Sequence, residues 1–300
     1  MAMVNVPLSE ESQVVSLEQE ASWRQTFRRF LRHRMAILGL FFLSVLTLSA
    51  IFAPLLAPYS PNAIHLSQQL LPPSQAHWLG TDSLGRDEFT RLLYGGQVSL
   101  MVGFFTMLVA TTLGTFVGSV AGYFGGWTDV LLMRFVDYVL SFPAIFLLLI
   151  LINLSGGKAN VLEMVMYLGF FGWTGTARIV RGQFLTLREM EFVEAAKASG
   201  ATGMRVIFRH ILPNSMAPIL VSAAFKVAEA MLAEASLDYL GFGLPPSIPS
   251  WGNLLTSANT YFVSEPWLAI APGLIITFTV VSIFFIGDAL RDALDPKVVR

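Results

Sequence analysis

Lys226 and Glu229 stand one helical turn apart inside an otherwise apolar stretch, residues 214–236, whose third charge is Glu234. A charge at the centre of a membrane helix costs about 2.5–3.5 kcal/mol on insertion scales and must face protein or water. Lys226 lies about 18 Å into the stretch at 1.5 Å per residue, close to mid-membrane. Spaced at i,i+3, the two either neutralise each other or line a water-filled pathway where substrate charges pass. Arg134 and Asp137 repeat that spacing near the inner end of a second apolar stretch, 131–154. There they pair, snorkel to the headgroups or border the same pathway. Either couple would also serve as the proton or ion relay of a gradient-driven carrier.

Other chemistry is harder to find. The chain has no Cys, which excludes disulfides, thiolate metal sites and cysteine nucleophiles. His33, His65, His77 and His210 lie outside the apolar stretches and share no metal-ligand spacing, so they read as scattered loop histidines. No G-x-S-x-G elbow and no paired-carboxylate arrangement with a recognisable base is present. Neither catalysis nor a bound metal or cofactor is expected of this chain.

The elements that hold these charges follow from composition. Of 300 residues, 54% are hydrophobic and 13% charged, with a mean hydropathy of +0.63. A soluble domain carries about 25% charge, so this is an integral membrane protein. A net charge of -1 excludes a nucleic-acid footprint. Residues 36–57, behind five arginines, are too long for the roughly 7–15-residue core of a signal peptide and read as a retained anchor. Uncharged or nearly uncharged stretches at 98–122, 131–154, 161–180, 214–236 and 267–287 make six spans in all. Arg24, Arg28, Arg29, Arg32 and Arg34 precede the first span, and Arg181, Arg188, Lys197, Arg205 and Arg209 separate the fourth from the fifth. Arg291, Lys297 and Arg300 close the chain, whereas the opposite side holds Arg86, Arg91 and Lys158. The positive-inside bias makes both termini and the 181–213 loop cytoplasmic. The expected plan is a cytoplasmic N-terminal segment (1–34), an anchor (35–57), an external loop (58–97), a five-span core (98–287) and a cytoplasmic tail (288–300).

Gly114, Gly118 and Gly122 give two small-xxx-small steps and mark a packing face, read as an ordinary contact within the chain. The cytoplasmic loop is amphipathic where a connector would be short and polar. Glu189 and Glu191 at the front, Lys197 near the end and Gly200 as a stop predict a helix over 191–200. Phe192, Ala195, Ala196 and Ser199 fall on one small, apolar face that the loop cannot bury alone. A lone surface helix, its alanines serving propensity, is the competing reading. A second helical stretch is expected over 202–211, ending at Pro213.

Glu194-Ala195-Ala196, Gly200 and Leu212-Pro213 stand at the spacing of a loop motif in the permease subunits of binding-protein-dependent ABC importers, which this chain resembles. His210 replaces the Ile of the general pattern, with Ile211 one place on, a variation similar to the peptide and nickel branch. Leu79-Gly80-Thr81-Asp82 with Gly85-Arg86-Asp87, the segment from Ala121 to Gly126, Ser250-Trp251-Gly252 and the segment from Gly287 to Pro296 resemble oligopeptide and dipeptide permease C subunits. The likeness covers nearly the whole chain from Trp23.

The resemblance implies an all-α polytopic fold with six transmembrane helices, of the ABC importer type I permease kind. Its cytoplasmic coupling helix would sit in a cleft of an ATPase subunit, with Phe192, Glu194, Ala195, Ala196, Ser199, Gly200, Leu212 and Pro213 as the coupling set. It implies as partners a second homologous permease subunit, two ABC ATPase subunits that bind ATP and Mg, and an extracytoplasmic substrate-binding protein, in a bacterial or archaeal plasma or inner membrane. Asp82, Arg86 and Asp87 would then lie near the binding protein; a self-packed loop bracing the second span fits those residues equally. The resemblance leads to an apolar residue where Lys226 stands, so it assigns Lys226 no role. Leu154-Ser155-Gly156-Gly157-Lys158 looks like an ATPase signature stretch. No G-x-x-x-x-G-K-[ST] accompanies it and it falls on the outer side, so it reads as a tight turn and ATP chemistry belongs to a partner. Short peptides lead as substrate. Nickel is the competitor, disfavoured as a bare ion because no Cys or His lies in a span. A gradient-driven secondary carrier and a scaffold without a pathway are the other classes.

Overall fold

A computed structural model describes residues 27–294. Arg24, Lys297 and Arg300, most of the 1–34 segment and the end of the 288–300 tail lie outside the described residues. Within them the structure is helical, with one isolated bridge between Thr81 and Asp87. The main helices are α1 (Arg34–Ile51), α2 (Glu88–Phe124), α3 (Gly126–Leu140), α4 (Ala144–Leu154), α5 (Val161–Leu187), α6 (Glu191–Ala198), α7 (Met216–Tyr239), α8 (Trp251–Asn259) and α9 (Trp267–Leu294).

Helices α1, α2, α7 and α9 are long and apolar enough to cross a membrane, and α3 with α4 makes a fifth crossing if the pair is one broken span. The break falls within the single span expected over 131–154. The two helices meet at 78°, around Pro143, which lacks an N–H and disfavours helical backbone in the residue before it. The remaining expected span, 161–180, corresponds to α5, which Glu163, Arg178 and Arg181 make more polar. It runs parallel to α2, from Gly169 beside Val109 to Phe184 beside Gly122. Over about 22 Å at 1.5 Å per residue the two therefore traverse the same layer.

Three glycines explain how closely they approach. A Cβ added at Gly114 would stand 2.6 Å from Thr176 Cβ, one at Gly122 2.5 Å from Phe184 Cβ, and one at Gly118 closer still to the Ala177 carbonyl. The small-xxx-small face is an internal seam, as expected. Helix α2 is also longer than its span. Its 37 residues make about 55 Å against a hydrocarbon layer of about 30 Å. It starts at Glu88, capped by Asp87, whose side chain accepts from Thr90 N at 2.8 Å. The last ten residues assigned to the 58–97 loop are thus helix.

The segment 237–266 contains α8, which the hydropathy pattern does not announce. Ser250 caps it through Asn253 N. Trp251 is 1% exposed, packs on Gly95 and Gly96 and donates from Nε1 to Leu92 O at 3.0 Å. Trp251, Leu46, Leu92, Met231, Ile276 and Val280 form a core joining α1, α2, α7, α8 and α9. The turn at Leu154–Lys158 is as expected: Gly156 and Gly157 have φ of 104° and 83°.

Candidate functional site

Helix α6 is built to be presented. Its last turn closes with Gly200 N donating to Lys197 O at 2.9 Å and Ala201 N donating to Ala196 O at 3.0 Å. That paired pattern needs a left-handed residue, and Gly200 has φ +85°. The helix ends at Ala198, two residues before the expected limit. Val193 is fully buried and joins Val180, Phe184, Val206, Ile207, Ile211 and Ile219. This cluster, with Tyr123 packed on it, ties α6 to the C-terminal ends of α2 and α5 and the start of α7. Phe192, Glu194, Ala195 and Ser199 face outward and Ala196 is half-buried. Of the remaining coupling set, Leu212 is half-buried against the same cluster and Pro213 is exposed. The 202–211 stretch is not one α-helix. It is π-wound over Val206–Ile211, where Pro213 has no N–H for the carbonyl of Arg209.

Lys226 and Glu229 form an ion pair. They border an open cavity of about 420 Å³ with Thr106, Phe171, Thr174 and Gly175, lined by α2, α3, α4, α5 and α7. Arg134 and Asp137 are not part of it, and they do not pair with each other. Asp137 binds Arg178 on α5 at 2.6 Å, with both side chains about half exposed. Arg134 and Asp137 line a separate open cavity with Tyr138 and Ser141 at the helix break. Of the alternatives open to this couple, mutual pairing is not the one adopted: i,i+3 spacing makes a pair available, but the neighbouring helix supplies Asp137 with its cation. Asp129 is likewise taken by Arg181, whose Nη2 is 2.6 Å from Asp129 Oδ2, so two Asp–Arg links hold α3 to α5.

Asp82, Arg86 and Asp87 are 3%, 6% and 4% exposed, which makes them a brace rather than an outer contact surface. Asp82 accepts from Leu84 N, Arg86 N and Arg86 Nε. Arg86 donates to Pro246 O, and Arg91, 1% exposed, donates to Pro61 O and Pro246 O. The brace joins the two outer segments over the end of α2. Gly80 and Gly85 turn the chain at φ +76° and +71°. His77 is buried too, with Nδ1 2.8 Å from Asp87 Oδ1 and its ring stacked on Tyr59, so it is no scattered loop histidine. Among the described residues no group of acidic, His or Cys side chains is arranged to hold a metal ion.

Sequence reasoning missed a buried carboxyl network at the C-terminal end of α7. Glu234 accepts from Ser99 Oγ at 3.3 Å, and Asp238 takes Ser250 Oγ and Leu244 N. Ser99 Oγ also receives Trp251 N at 3.1 Å. The network seats α8 against α2 and α7. Its available signal was that two carboxyls four residues apart end an apolar run with no cation beside them.

Comparison with known proteins bears on the whole chain. Residues 114–300 match the family described as binding-protein-dependent transport system inner membrane component. Residues 22–73 match the N-terminal TM domain of oligopeptide transport permease C. The dipeptide transport system permease protein DppC of Alkalihalophilus pseudofirmus is 42% identical over 279 residues, 92% of this chain and 90% of the relative. The glutathione transport system permease protein GsiD of Pectobacterium atrosepticum is 41% identical over 278 residues, 92% and 91% of the two chains. A chain from an inward-facing structure of the MetNI methionine ABC transporter superposes with a TM-score of 0.55 at 18% identity, covering 68% of this chain and 97% of that one. At that identity the likeness speaks for the fold alone.

Proposed function

This chain belongs to the family of binding-protein-dependent transport system inner membrane components, and on that premise we propose that it is the translocation subunit of an ATP-driven importer of short peptides. The permease relatives are named for dipeptide and glutathione transport, which supports short peptides over nickel as cargo. The observation that carries the coupling role is α6 itself. It is anchored from within by Val193 yet leaves Phe192, Glu194, Ala195 and Ser199 outward. An apolar Phe on an exposed cytoplasmic turn gains when a partner covers it.

In this reading α6 seats in an ATPase subunit, with Glu194 supplying a charge-assisted contact at the rim. ATP and Mg are bound and consumed in two such subunits, not in this chain. The Val193 cluster passes their closure to α2, α5 and α7. A second permease subunit completes the pathway, an extracytoplasmic binding protein delivers the peptide, and both termini face the cytoplasm. Vesicles containing the assembled transporter test this. Dipeptide uptake should require ATP and the binding protein and persist with an uncoupler at constant ATP. Collapse with the uncoupler would instead assign a gradient-driven carrier. Reporters after Gly200 and near Ser74 should report cytoplasmic and external positions; the reverse would remove α6 from any ATPase.

A further inference from the structure

An ammonium has three donors, and Glu229 accepts from Lys226 by one contact. The Lys226 side chain is 13% exposed and its stem passes Gly172, where an added Cβ would stand 3.6 Å from Lys226 Cδ. In the same cavity lining, Thr106 is 1% exposed and its Oγ1 has no hydrogen-bond partner among the described residues. A buried hydroxyl left unpaired is destabilising, so a ligand that engages it gains from pairing it. Glu229 is the exposed member, its side chain 61% accessible. The lining thus offers buried donors at Lys226 and Thr106 and an accessible acceptor at Glu229. Two unpaired donors suit a carboxylate, and the acidic neighbour suits an ammonium.

We propose that this cavity is a transit site for zwitterionic di- or tripeptides, with the C-terminal carboxylate taken by Lys226 and Thr106 and the N-terminal ammonium by Glu229. The proposal rests on the importer reading and adds the groups recognised. Its size agrees: about 420 Å³ lies low in the range of about 300–1,000 Å³ for small-ligand pockets. An extended peptide adds about 3.3–3.6 Å per residue, so a di- or tripeptide spans about 7–11 Å. Entry exchanges one ion pair for two. The Lys226–Glu229 pair opens, each partner takes the opposite end of the ligand, and the pair closes again on release. No buried charge is left uncompensated at either stage, which is what a charge in this location requires.

The test uses the complete transporter in nanodiscs without the binding protein, with radiolabelled dialanine and, as competitors, its C-terminal amide and its N-acetyl form. In the wild type both blocked forms should bind at least tenfold more weakly than dialanine. Lys226→Met should erase discrimination against the amide and keep that against the acetyl form, Glu229→Gln should do the reverse, and Lys226→Arg should retain both. Gly175→Leu supplies an arm that alters no charge. A Cβ there meets nothing within 4 Å, so Leu fills the cavity and should weaken all three ligands at least tenfold. Equal binding of dialanine and its amide in the wild type, or unchanged ratios in the assembled Lys226→Met complex, overturns the site. If ATP-driven uptake of dialanine from the binding protein proceeds alongside that result, the importer reading stands and only the transit site falls. If no such uptake occurs, the importer reading falls first.

Discussion

Gly200 is where one substitution separates backbone geometry from side-chain crowding. A Cβ added there meets nothing within 4 Å, so the first side-chain atom carries no packing penalty. The whole cost lies in φ +85°. A non-Gly residue held in left-handed backbone costs about 1–3 kcal/mol, and a β-branched one belongs at the upper end. At 1.4 kcal/mol per factor of ten, Gly200→Val should depopulate the closed turn by about 30- to 150-fold and Gly200→Ala by about fivefold. Asn visits left-handed backbone routinely, so Gly200→Asn should stay within about twofold. Only Val193 anchors α6 as a fully buried side chain. Losing the Gly200 and Ala201 bonds therefore lets the outward face turn away, and ATPase affinity falls by the fraction of competent turns. Titrating purified ATPase subunits onto the permease pair in nanodiscs gives that affinity directly, with ATP-driven dipeptide uptake in parallel. The expected order is Gly and Asn together, then Ala, then Val. Val binding within twofold of wild type refutes the docking role of α6. Asn as damaging as Val refutes the backbone argument, since it would mean that any side chain at 200 blocks the surface.

Ala196→Asp should leave membrane insertion intact and lower ATPase retention at least tenfold in pull-downs, because it places a charge on the face that docking buries. Gly118→Val forces a side chain against the α5 backbone and should lower the melting temperature of the detergent-solubilised protein, overpacking costing about 1–3 kcal/mol or more; Gly182→Ala, with open space around it, should change it little. Trp251→Ala removes a 1% exposed indole and its bond to Leu92 O, an expected loss of about 3–5 kcal/mol, read as loss of folded protein in size-exclusion profiles.

What the amino-acid order determined is whatever depends on neighbours along the chain. Hydropathy marked α1, α2, α7 and α9 because crossing lipid is a property of a run of side chains. The loop helix was legible from Glu191, Lys197 and Gly200 because caps and stops act within one turn. Gly114, Gly118 and Gly122 announced a seam for the same reason, though not that α5 would fill it. Tertiary structure decided the partners. Asp137 went to Arg178 instead of Arg134, and Asp82, Arg86 and Asp87, polar enough to read as surface, are buried, Asp82 on Arg86 and Asp87 on His77. It also set α8 among α2 and α7, and it turned one expected span into two helices at 78°. Charges and polar side chains act through space and accept any satisfying partner within reach. Which partner is within reach depends on how the helices pack against one another, and for residues far apart in the chain no local spacing records that.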